Sequence, residues 1–527
     1  MLRVKRIYFL LLLLVAALCA CKKDQQVPGP APVTVEKNDT AAITSVIIEA
    51  KNNKNVLAAD VSCTINDNGE ITGILPDVNA VKNLALTFTT KSAGTVVKVN
   101  DAVQTSGITV TDYSKPVTLT LQTPRGNTRT YTVTIKVFTG LPILNITTNA
   151  PVVSKDDYVK GSVVINPNLS YVQDQTNLNL QIKGHGNSTW ARQDFYKKPY
   201  RLKFDSKVSM LGMTAGKNWV LLANYDDKTL MRNYIALQLA KRLGSDYAPD
   251  CRFVEVFMNG EFLGNYLLTP HVDISANSIN NVTEMSDKDT TDDKITGAYL
   301  LEVDQKKDAD YWFVTKKNLP FCIKSPEDIT PKQLDYIHNY IQATEDALFS
   351  SNFTDPNTGY AKYINPDSFM NWYFTNEIVQ NEDARDFSSM FYYKDRNGKL
   401  CMGPVWDFDL SSGNIDYTVA NQPTGIWFIR DATWMIRIAQ DPNFVLKIRQ
   451  RWSEIKDKEV KQIFADIDQT AAYLELSQQQ NFKKWPILNQ YVWPNYVVLG
   501  SYDKEVAYMK DFITKRVNWM DANMSSW

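Results

Sequence analysis

Hydrophobic and polar residues alternate in short runs near the start of the chain, between residues 42 and 140. The runs TSVIIEA, LALTFTT, PVTLTLQ and YTVTIKV are separated by turn-forming Asn, Asp, Gly and Ser residues. Because successive side chains of a strand point to opposite faces, this alternation is typical of strands with one buried face. The pattern predicts an all-β module over residues 42–140, folded as a small antiparallel sandwich.

The pattern becomes mixed after Gly140-Leu141-Pro142. Strand-like runs follow, namely NLNLQIKG, KPYRLKF, NWVLLAN, FVEVFMNG, GNYLLTP and GAYLLEVD, with the helix-like run TLMRNYIALQLAKRL between the third and the fourth. After about residue 330 the helical runs PKQLDYIHNYIQATEDAL, PDSFMNWYFTNEIV and DKEVAYMKDFITKRVNWMDANM dominate. The hydrophobic residues of the last run keep the period of one buried helix face: Val506, Met509, Phe512, Ile513, Val517 and Met520. A strand-rich half followed by a helical half predicts two lobes within residues 141–527.

The first 41 residues have the pattern of an export and anchoring segment. Basic residues precede an apolar run from Ile7 to Leu18, which is too short to span a bilayer. The sequence Leu18-Cys19-Ala20-Cys21 resembles the lipobox of bacterial lipoproteins, and this resemblance implies cleavage before Cys21 and a diacylglycerol on its thiol. We therefore predict a signal peptide over residues 1–20, a Pro-rich polar stalk over 21–41, and a lipid-anchored protein of a Gram-negative cell envelope, at the outer membrane or cell surface. An ordinary cleaved secretory signal is the alternative.

Composition narrows the range of functions. The chain of 527 residues has 57 Lys and Arg against 58 Asp and Glu, so its net charge of -1 creates no field that would attract nucleic acid. We expect no nucleic-acid partner. Behind Cys21 the four cysteines are widely spaced and lack a CxxC motif, so neither a zinc site nor a disulfide scaffold is indicated, and one disulfide stays open. Three histidines, His185, His271 and His338, offer few candidates for a histidine-dependent site.

Two aspartates in GPVWDFDLSSGN, Asp407 and Asp409, are candidates for a metal site. If this stretch is a strand, both carboxylates lie on one face, and Trp406, Phe408 and Leu410 point into a core. Two like charges on one face repel each other, and a hard cation such as Mg²⁺ is one way to compensate them. A solvated acidic turn is the alternative.

Four segments together resemble the spore-coat protein H (CotH) kinases, a family with a divergent protein-kinase-like fold. They are IKGHGNSTW followed by KKPYRLKF, then NYDDKTLMRN, then VFMNGEFLGNYLL, and finally FTNEIVQNEDARDFSSMFYYKDRNGKLCMGPVWDFDLSSGN. The resemblance covers roughly residues 142–525 and implies a two-lobed α+β kinase-like domain with a helical C-terminal lobe. The module at 42–140 resembles the Ig-like sandwiches of Bacteroidetes surface lipoproteins, which implies a spacer or a binding module.

The resemblance implies roles for the acidic residues. Asp383 precedes Asp407 by 24 residues, close to the interval between the catalytic and the metal-binding aspartates of a kinase. Asp383 is then the base that accepts the proton of a substrate hydroxyl. Asp407 holds Mg²⁺ or Mn²⁺ against the phosphates of ATP, and Asp409 is a second or bridging ligand. A helix-terminal or turn aspartate is the alternative for Asp383.

The resemblance also implies nucleotide-binding residues. KGHGNSTW becomes a glycine-rich turn over the phosphates, with Gly184 and Gly186 allowing close approach and Asn187 and Ser188 adding polar contacts. A plain tight turn is the alternative. On the next strand, Lys198, Arg201 and Lys203 are candidates to neutralise phosphate charge. An exposed basic face of the strand is the alternative. Arg232 lies on the helix where a standard kinase has the glutamate that pairs with its nucleotide lysine.

Departures from the standard kinase pattern keep other functions open. The chain has no Walker motif, no HRD and no DFG, and Ser388 and Ser389 stand where a metal-binding Asn is expected. Our first hypothesis is a kinase that phosphorylates Ser or Thr of an envelope protein. The second is a non-catalytic surface adhesin or glycan-binding protein, for which seven tryptophans of the C-terminal half are candidates: Trp427, Trp434, Trp452, Trp485, Trp493, Trp519 and Trp527. The third is nucleotide transfer such as AMPylation.

Overall fold

The computed structural model describes residues 39–54, 56–76 and 81–527. The predicted signal peptide, the lipidation site Cys21 and nearly all of the predicted stalk lie outside the described residues. No helix within the described part of the chain is long and apolar enough to cross a bilayer. The four described cysteines are free thiols, so no disulfide joins any two of them: Cys63, Cys251, Cys322 and Cys401.

The N-terminal module is all β, as predicted. Its strands are β1 (Ile43–Ile48), β2 (Val61–Ser62), β3 (Thr64–Ile65), β4 (Glu70–Leu75), β5 (Leu84–Ala85), β6 (Thr87–Thr90), β7 (Val96–Val99), β8 (Ala102–Val103), β9 (Val110–Thr111), β10 (Val117–Gln122) and β11 (Thr128–Val137). They form sheets ordered β2-β1-β6, β3-β4-β11-β10-β7-β8 and β5-β9, and Val46, Ile71 and Leu119 lie in the shared core. The purely antiparallel prediction is wrong, because β11 pairs with β4 in parallel. Alternation reveals strands but not the direction of their partners.

Seven strands then close into a barrel. They are β12 (Ile143–Thr148), β13 (Val159–Asn166), β14 (Asn177–Gly184), β15 (Tyr200–Val208), β16 (Gly216–Leu222), β17 (Arg252–Met258) and β18 (Glu261–Pro270), in the order β12-β13-β14-β15-β16-β18-β17. Side chains that alternate along the strands, such as Ile182, Leu202 and Trp219, fill a hydrophobic core. The alternate residues of β14 and β15, including Lys183 and Arg201, are left on the opposite face.

A five-stranded sheet packs against the outside of the barrel. Its strands are β19 (Tyr299–Val303), β20 (Trp312–Val314), β21 (Pro320–Ser325), β22 (Met390–Lys394) and β23 (Leu400–Met402), in the order β20-β21-β19-β22-β23. Val220 of the barrel forms a buried cluster with Leu300 and Phe391 of the sheet and with Trp406. This contact places one wall of the barrel beside the start of β22 and the segment that follows β23.

Two helices lie between strands of the barrel, and the others follow in the C-terminal half. They are α1 (Ser188–Ala191), α2 (Arg232–Leu243), α3 (Pro331–Leu348), α4 (Pro366–Val379), α5 (Met435–Ile438), α6 (Pro442–Ile455), α7 (Gln462–Tyr473), α8 (Glu475–Lys484) and α9 (Tyr502–Asn523). Five of the six predicted face residues of α9 are buried, and Val517 packs partly buried against the same core. The prediction of a multi-domain α+β chain with an all-β start is confirmed. The likeness of its halves to kinase lobes, and the domain boundaries, stay predictions.

Candidate functional site

A cleft of about 400 Å³ lies between the outer wall of the barrel, the five-stranded sheet and the segment after β23. Two sets of charged side chains in its lining matter for chemistry. One set, here called the acidic group, is Asp226, Asp383, Asp407 and Asp409. The other, here called the basic group, is Lys183, Arg201 and Lys324. A single cleft therefore presents both carboxylates and phosphate-binding candidates.

The segment that carries Asp407 and Asp409 is not a strand. Strand β23 ends at Met402, and residues 403–408 are irregular, with Asp407 at a left-handed φ of 60°. The predicted inward residues Trp406, Phe408 and Leu410 are nevertheless buried. The two carboxyl groups also lie close enough to interact directly, and each changes the pKa of the other. Asp407 and Asp409 are thus close together as predicted, but an irregular backbone rather than a strand brings them together.

Two amide side chains hold this irregular backbone in place. The backbone N–H of Phe408 donates to Oδ1 of Asn233 over 2.8 Å, and Nδ2 of Asn381 donates to the carbonyl oxygen of Asp407 over 3.0 Å. Asn233 belongs to α2, and Asn381 follows the end of α4. Two helices therefore fix the position of Asp407.

Asp383 lies beside Asp407 in the turn after α4. It is 6 % exposed, and its Oδ1 is buried without a hydrogen-bond partner. Burial, and then the charge of Asp407, raise the pKa of Asp383 well above its ordinary value. Ser388 hydrogen-bonds to the Asp383 carboxylate, and Oγ of Ser389 donates to Oδ2 of Asp407 over 3.4 Å. The two serines at the expected Asn position therefore contact both acids.

Asp226 is a member of the acidic group that sequence reasoning missed. It is 2 % exposed, and burial together with the charges of Asp227 and Asp407 raises its pKa to about 7. The only sequence signal is the Asp-Asp pair in NYDDKTLMRN. Nothing in that pair indicates which carboxylate faces a cleft, because the two point to different sides of a loop.

Arg232 lies outside the cleft lining. Its Nη1 is 2.5 Å from Oδ1 of Asp227, and its Nε donates to the carbonyl oxygen of Ser411 over 3.1 Å. Both members of the ion pair are almost fully buried. Arg232 was predicted to bind nucleotide, but the described contacts join it to protein groups that hold the loop at residue 227 against the segment after Asp409.

The glycine-rich turn lines the cleft with Gly184, Gly186, Asn187 and Ser188, as the resemblance implies. Both glycines also have a packing reason. A Cβ on Gly184 would lie 2.6 Å from the ring of Trp190, and Gly186 has a left-handed φ of 80°. Nζ of Lys198 donates to the carbonyl oxygens of Trp190 and Arg192, over 2.8 and 2.7 Å, and so closes the turn rather than facing a ligand.

Within the basic group, Lys183 and Arg201 are directly opposite each other on β14 and β15. Nε of Arg201 is buried without a hydrogen-bond partner. Lys203, predicted with Arg201 as a nucleotide-binding residue, is exposed near the ring of Tyr158 and does not line the cleft. Lys183 lay within a quoted segment but was not singled out.

Lys324 and Glu302 form an ion pair of 2.9 Å in the cleft wall, and neither was found from sequence. Oε1 of Glu302 also accepts a hydrogen bond from the backbone N–H of Ser389 over 3.0 Å. Glu302 therefore connects a cation of the basic group to the turn that contacts Asp407. The pair joins two neighbouring strands, β19 and β21, whose pairing no local pattern reveals.

His185 and His271 also line the cleft, with ring centres 6.0 Å apart. Burial, and then the charge of Arg201, lower the pKa of His185 to about 3 and that of His271 well below its ordinary value. Both rings are therefore neutral near pH 7. They provide hydrogen-bonding groups and no positive charge.

The donor types of the acidic group suit a hard cation, since Mg²⁺ and Mn²⁺ prefer carboxylate oxygens. Oδ1 of Asp383, without a partner, is an oxygen of this kind. In residues 39–54, 56–76 and 81–527, however, no three His, Cys, Asp or Glu side chains are already arranged to hold a metal ion. The residues fit the cation by chemistry, and ligation requires their side chains to turn.

The seven tryptophans do not form an exposed platform. Trp427, Trp434, Trp452 and Trp527 are buried, and Trp485, Trp493 and Trp519 pack partly buried against the same core. Trp493 alone of the seven lines the cleft. The tryptophan-rich composition is thus mainly a packing feature.

Two solved structures that match this chain have low overall structural similarity to it. A protein of Bacteroides fragilis described as secreted is 15 % identical, over 19 % of this chain and 96 % of that one, with a TM-score of 0.15. A protein of Bacteroides thetaiotaomicron described as a glycoside hydrolase is 16 % identical, over 37 % of this chain and 53 % of that one, with a TM-score of 0.14. Neither likeness carries an argument. No curated protein matches significantly.

The family profile described as CotH kinase protein matches residues 180–520. The match spans more than half of the chain and includes every member of the acidic and basic groups. The chain therefore belongs to the CotH kinase family.

Proposed function

We propose that this protein is an ATP- and Mg²⁺-dependent kinase that transfers the γ-phosphoryl group to Ser or Thr hydroxyls of a cell-envelope protein. The observation that carries this proposal is the acidic group. Asp383 is buried and Asp407 and Asp409 are partly buried in one cleft. Lys306 in the same lining is the positive charge that acts on Asp383 and Asp407, but none of the three carboxylates forms an ion pair among the described residues. Uncompensated buried carboxylates are costly, and they persist where function requires them.

Asp407 and Asp409 hold the cation in this proposal, with ATP as the phosphoryl donor. When bound, Mg²⁺ neutralises charge on the phosphates, which is most of what phosphoryl transfer requires from an active site. Asn233 and Asn381 keep the backbone of these ligands fixed. The basic group and the glycine-rich turn lie in the same lining and supply positive charge and backbone N–H groups for the phosphates.

Asp383 accepts the proton of the acceptor hydroxyl. As the hydroxyl oxygen forms its bond to the γ-phosphorus, the bond to the β-phosphate oxygen breaks, ADP leaves, and the proton moves to Asp383. Its Oδ1 suits this role because no hydrogen bond occupies it. Positioned proton transfer of this kind contributes about 10² to 10⁴ in rate.

Anchoring in the envelope is part of the proposal and depends on Cys21, outside the described residues. Export separates the protein from cytoplasmic ATP, so a supply of nucleotide at the envelope is required. Membrane fractionation of Cys21→Ala tests the anchor. Unchanged lipid labelling of that variant excludes lipidation at Cys21.

The function is tested by incubating the purified protein with γ-labelled ATP, Mg²⁺ or Mn²⁺, and casein as a generic acceptor. We expect label on Ser or Thr of casein or of the protein itself, dependent on the cation. Label transferred from α-labelled ATP instead indicates nucleotide transfer. Absence of both transfer and nucleotide binding favours the non-catalytic surface protein.

A further inference from the structure

We propose that Asp226 is an additional ligand of the cation held by Asp407 and Asp409, and that it replaces the amide ligand expected at position 388. This inference rests on the proposed function. It assigns a metal-binding role to a carboxylate outside the segment that contains the other acids. The ligand it binds is a hard divalent cation, Mg²⁺ or Mn²⁺.

An amide network places Asp226 beside Asp409. Nδ2 of Asn414 donates to the carbonyl oxygens of both residues, over 3.2 Å to Asp226 and 2.9 Å to Asp409. Nδ2 of Asn495 also donates to the carbonyl oxygen of Asp226, over 2.6 Å, and to Oδ1 of Asn414 over 2.9 Å. The loop before α2 and the segment after Asp407 are therefore tied together at the backbone of these two residues.

The neighbouring residue shows that the placement of Asp226 is specific. The Asp227 carboxylate binds Arg232 and the N–H and hydroxyl of Thr229. The Asp226 carboxylate lines the cleft with Asp407 and Asp409 instead. The Asp227 carboxylate of this loop therefore stabilises the fold, whereas the Asp226 carboxylate belongs to the acidic group.

A second observation indicates that a cation belongs there. Oδ1 of Asp383, in a side chain 6 % exposed, lines the same cleft without any hydrogen-bond partner. A buried carboxylate oxygen without a donor is costly, and a cation held by the neighbouring acids places positive charge beside it while leaving it free to accept a proton.

The residues at the expected amide position are already engaged. The Ser388 side chain hydrogen-bonds to Asp383, and Ser389 donates to Asp407. Asp226 is the remaining member of the acidic group and lines the same cleft. Since no three described acidic side chains converge on one point, binding must draw the Asp226 carboxylate toward Asp407 and Asp409.

The test is the affinity of the full-length protein for Mn²⁺, measured by the electron paramagnetic resonance of free Mn²⁺ with a non-hydrolysable ATP analogue present. We expect Asp226→Asn to weaken Mn²⁺ binding by about tenfold or more, as for loss of a direct ligand. The matched control is Asp156→Asn, which removes an exposed carboxylate from the lining of the same cleft. We expect its affinity to stay within about twofold of the parent.

If Asp226→Asn binds Mn²⁺ with the same affinity as the parent, the inference is wrong and the proposed function is unaffected. An equal loss in Asp156→Asn also overturns it, because the effect is then general charge. A parent that takes up no Mn²⁺ removes both the inference and the proposed function. The melting curve of metal-free Asp226→Asn checks folding, and Asp226→Ser carries the same test if that variant does not fold.

Discussion

Two sets of buried charges in this protein differ in how they are compensated. In the helical half, Arg516 pairs with Glu377, and both side chains are fully buried. The Glu377 carboxylate also accepts hydrogen bonds from the backbone N–H groups of Phe428 and Ile429, over 2.7 and 2.9 Å. In the cleft, Asp383 is buried and Asp407 and Asp409 are partly buried. The charge of Lys306 acts on Asp383 and Asp407, but none of the three carboxylates forms an ion pair among the described residues.

The difference distinguishes buried charges that stabilise the fold, such as the Arg516–Glu377 pair, from carboxylates in the cleft that we propose to bind a cation. A buried ion pair whose hydrogen bonds are complete connects helices, and it is costly to break. A buried carboxylate group without a cation is strained by its own repulsion, which a ligand relieves. Arg232 and Asp226, six residues apart, fall on opposite sides of this division.

The largest expected effect comes from breaking the compensated set. Arg516→Met leaves the Glu377 charge buried and unpaired, so we expect a loss of about 3 to 5 kcal/mol in the free energy of unfolding. Urea unfolding measures it. The control is Lys447→Met in the exposed pair with Asp367, at 3.0 Å, for which we expect about 1 kcal/mol or less. Similar losses in both variants would remove the contrast between buried and exposed pairs.

Asp383→Asn tests the uncompensated set. We expect phosphoryl transfer to fall about a hundredfold or more, while MgATP binding persists and the metal-free protein is no less stable. Initial rates, a binding titration and a melting curve provide the three readouts. Asp416→Asn, at an exposed position outside the cleft lining, is the control and should keep its rate. A destabilised Asp383→Asn would mean that the carboxylate holds the fold.

Glu255 sharpens the comparison, because it is a buried carboxylate outside the cleft. Its Oε1 accepts a hydrogen bond from Thr139 over 2.6 Å, its Oε2 has no partner, and burial raises its pKa to about 7. A raised pKa in the folded state stabilises the protein below the unfolded pKa of about 4.3, and this stability is lost as pH rises through 7.

We therefore expect Glu255→Gln to differ least from the parent in stability at pH 5 and to exceed it at pH 8, with the difference growing by on the order of 1 to 3 kcal/mol between the two pH values. Urea unfolding at both pH values measures the change. Glu454→Gln, at an exposed carboxylate, is the control and should show no such divergence. A constant difference across this pH range would contradict the assignment of a charge-dependent cost to Glu255.

Two helices coincide to the residue with the helical runs PKQLDYIHNYIQATEDAL and PDSFMNWYFTNEIV, and their local capping residues explain why. Helix α3 begins where expected because Thr330 caps it, Pro331 occupies the first turn, and Gln333 completes a capping box. Helix α4 has the same signals in Asn365 and Pro366. Because these interactions join residues only three or four positions apart, they can be identified from the local sequence alone.

Features that depend on long-range pairing were not predictable in this way. The Lys324–Glu302 pair depends on the register of two strands, and the closed barrel depends on the pairing of β12 with β17, over 100 residues away. The strand prediction for Asp407 failed because the backbone leaves the sheet after Met402 and enters a left-handed conformation at Asp407. Which of Asp226 and Asp227 lies in the cleft could not be predicted, because the answer depends on which of the two pairs with Arg232 in the folded protein.

The most direct test of the central claim is the melting temperature of the parent and of Asp407→Asn, each with ATP in the presence and absence of Mg²⁺. If the acidic group is a cation and nucleotide site, ATP with Mg²⁺ raises the melting temperature of the parent, because ligand binding to the native state adds to its stability. Asp407→Asn should lose that rise while its metal-free form melts no lower than the parent. No Mg²⁺-dependent rise in the parent, or an equal rise in the variant, would contradict the account.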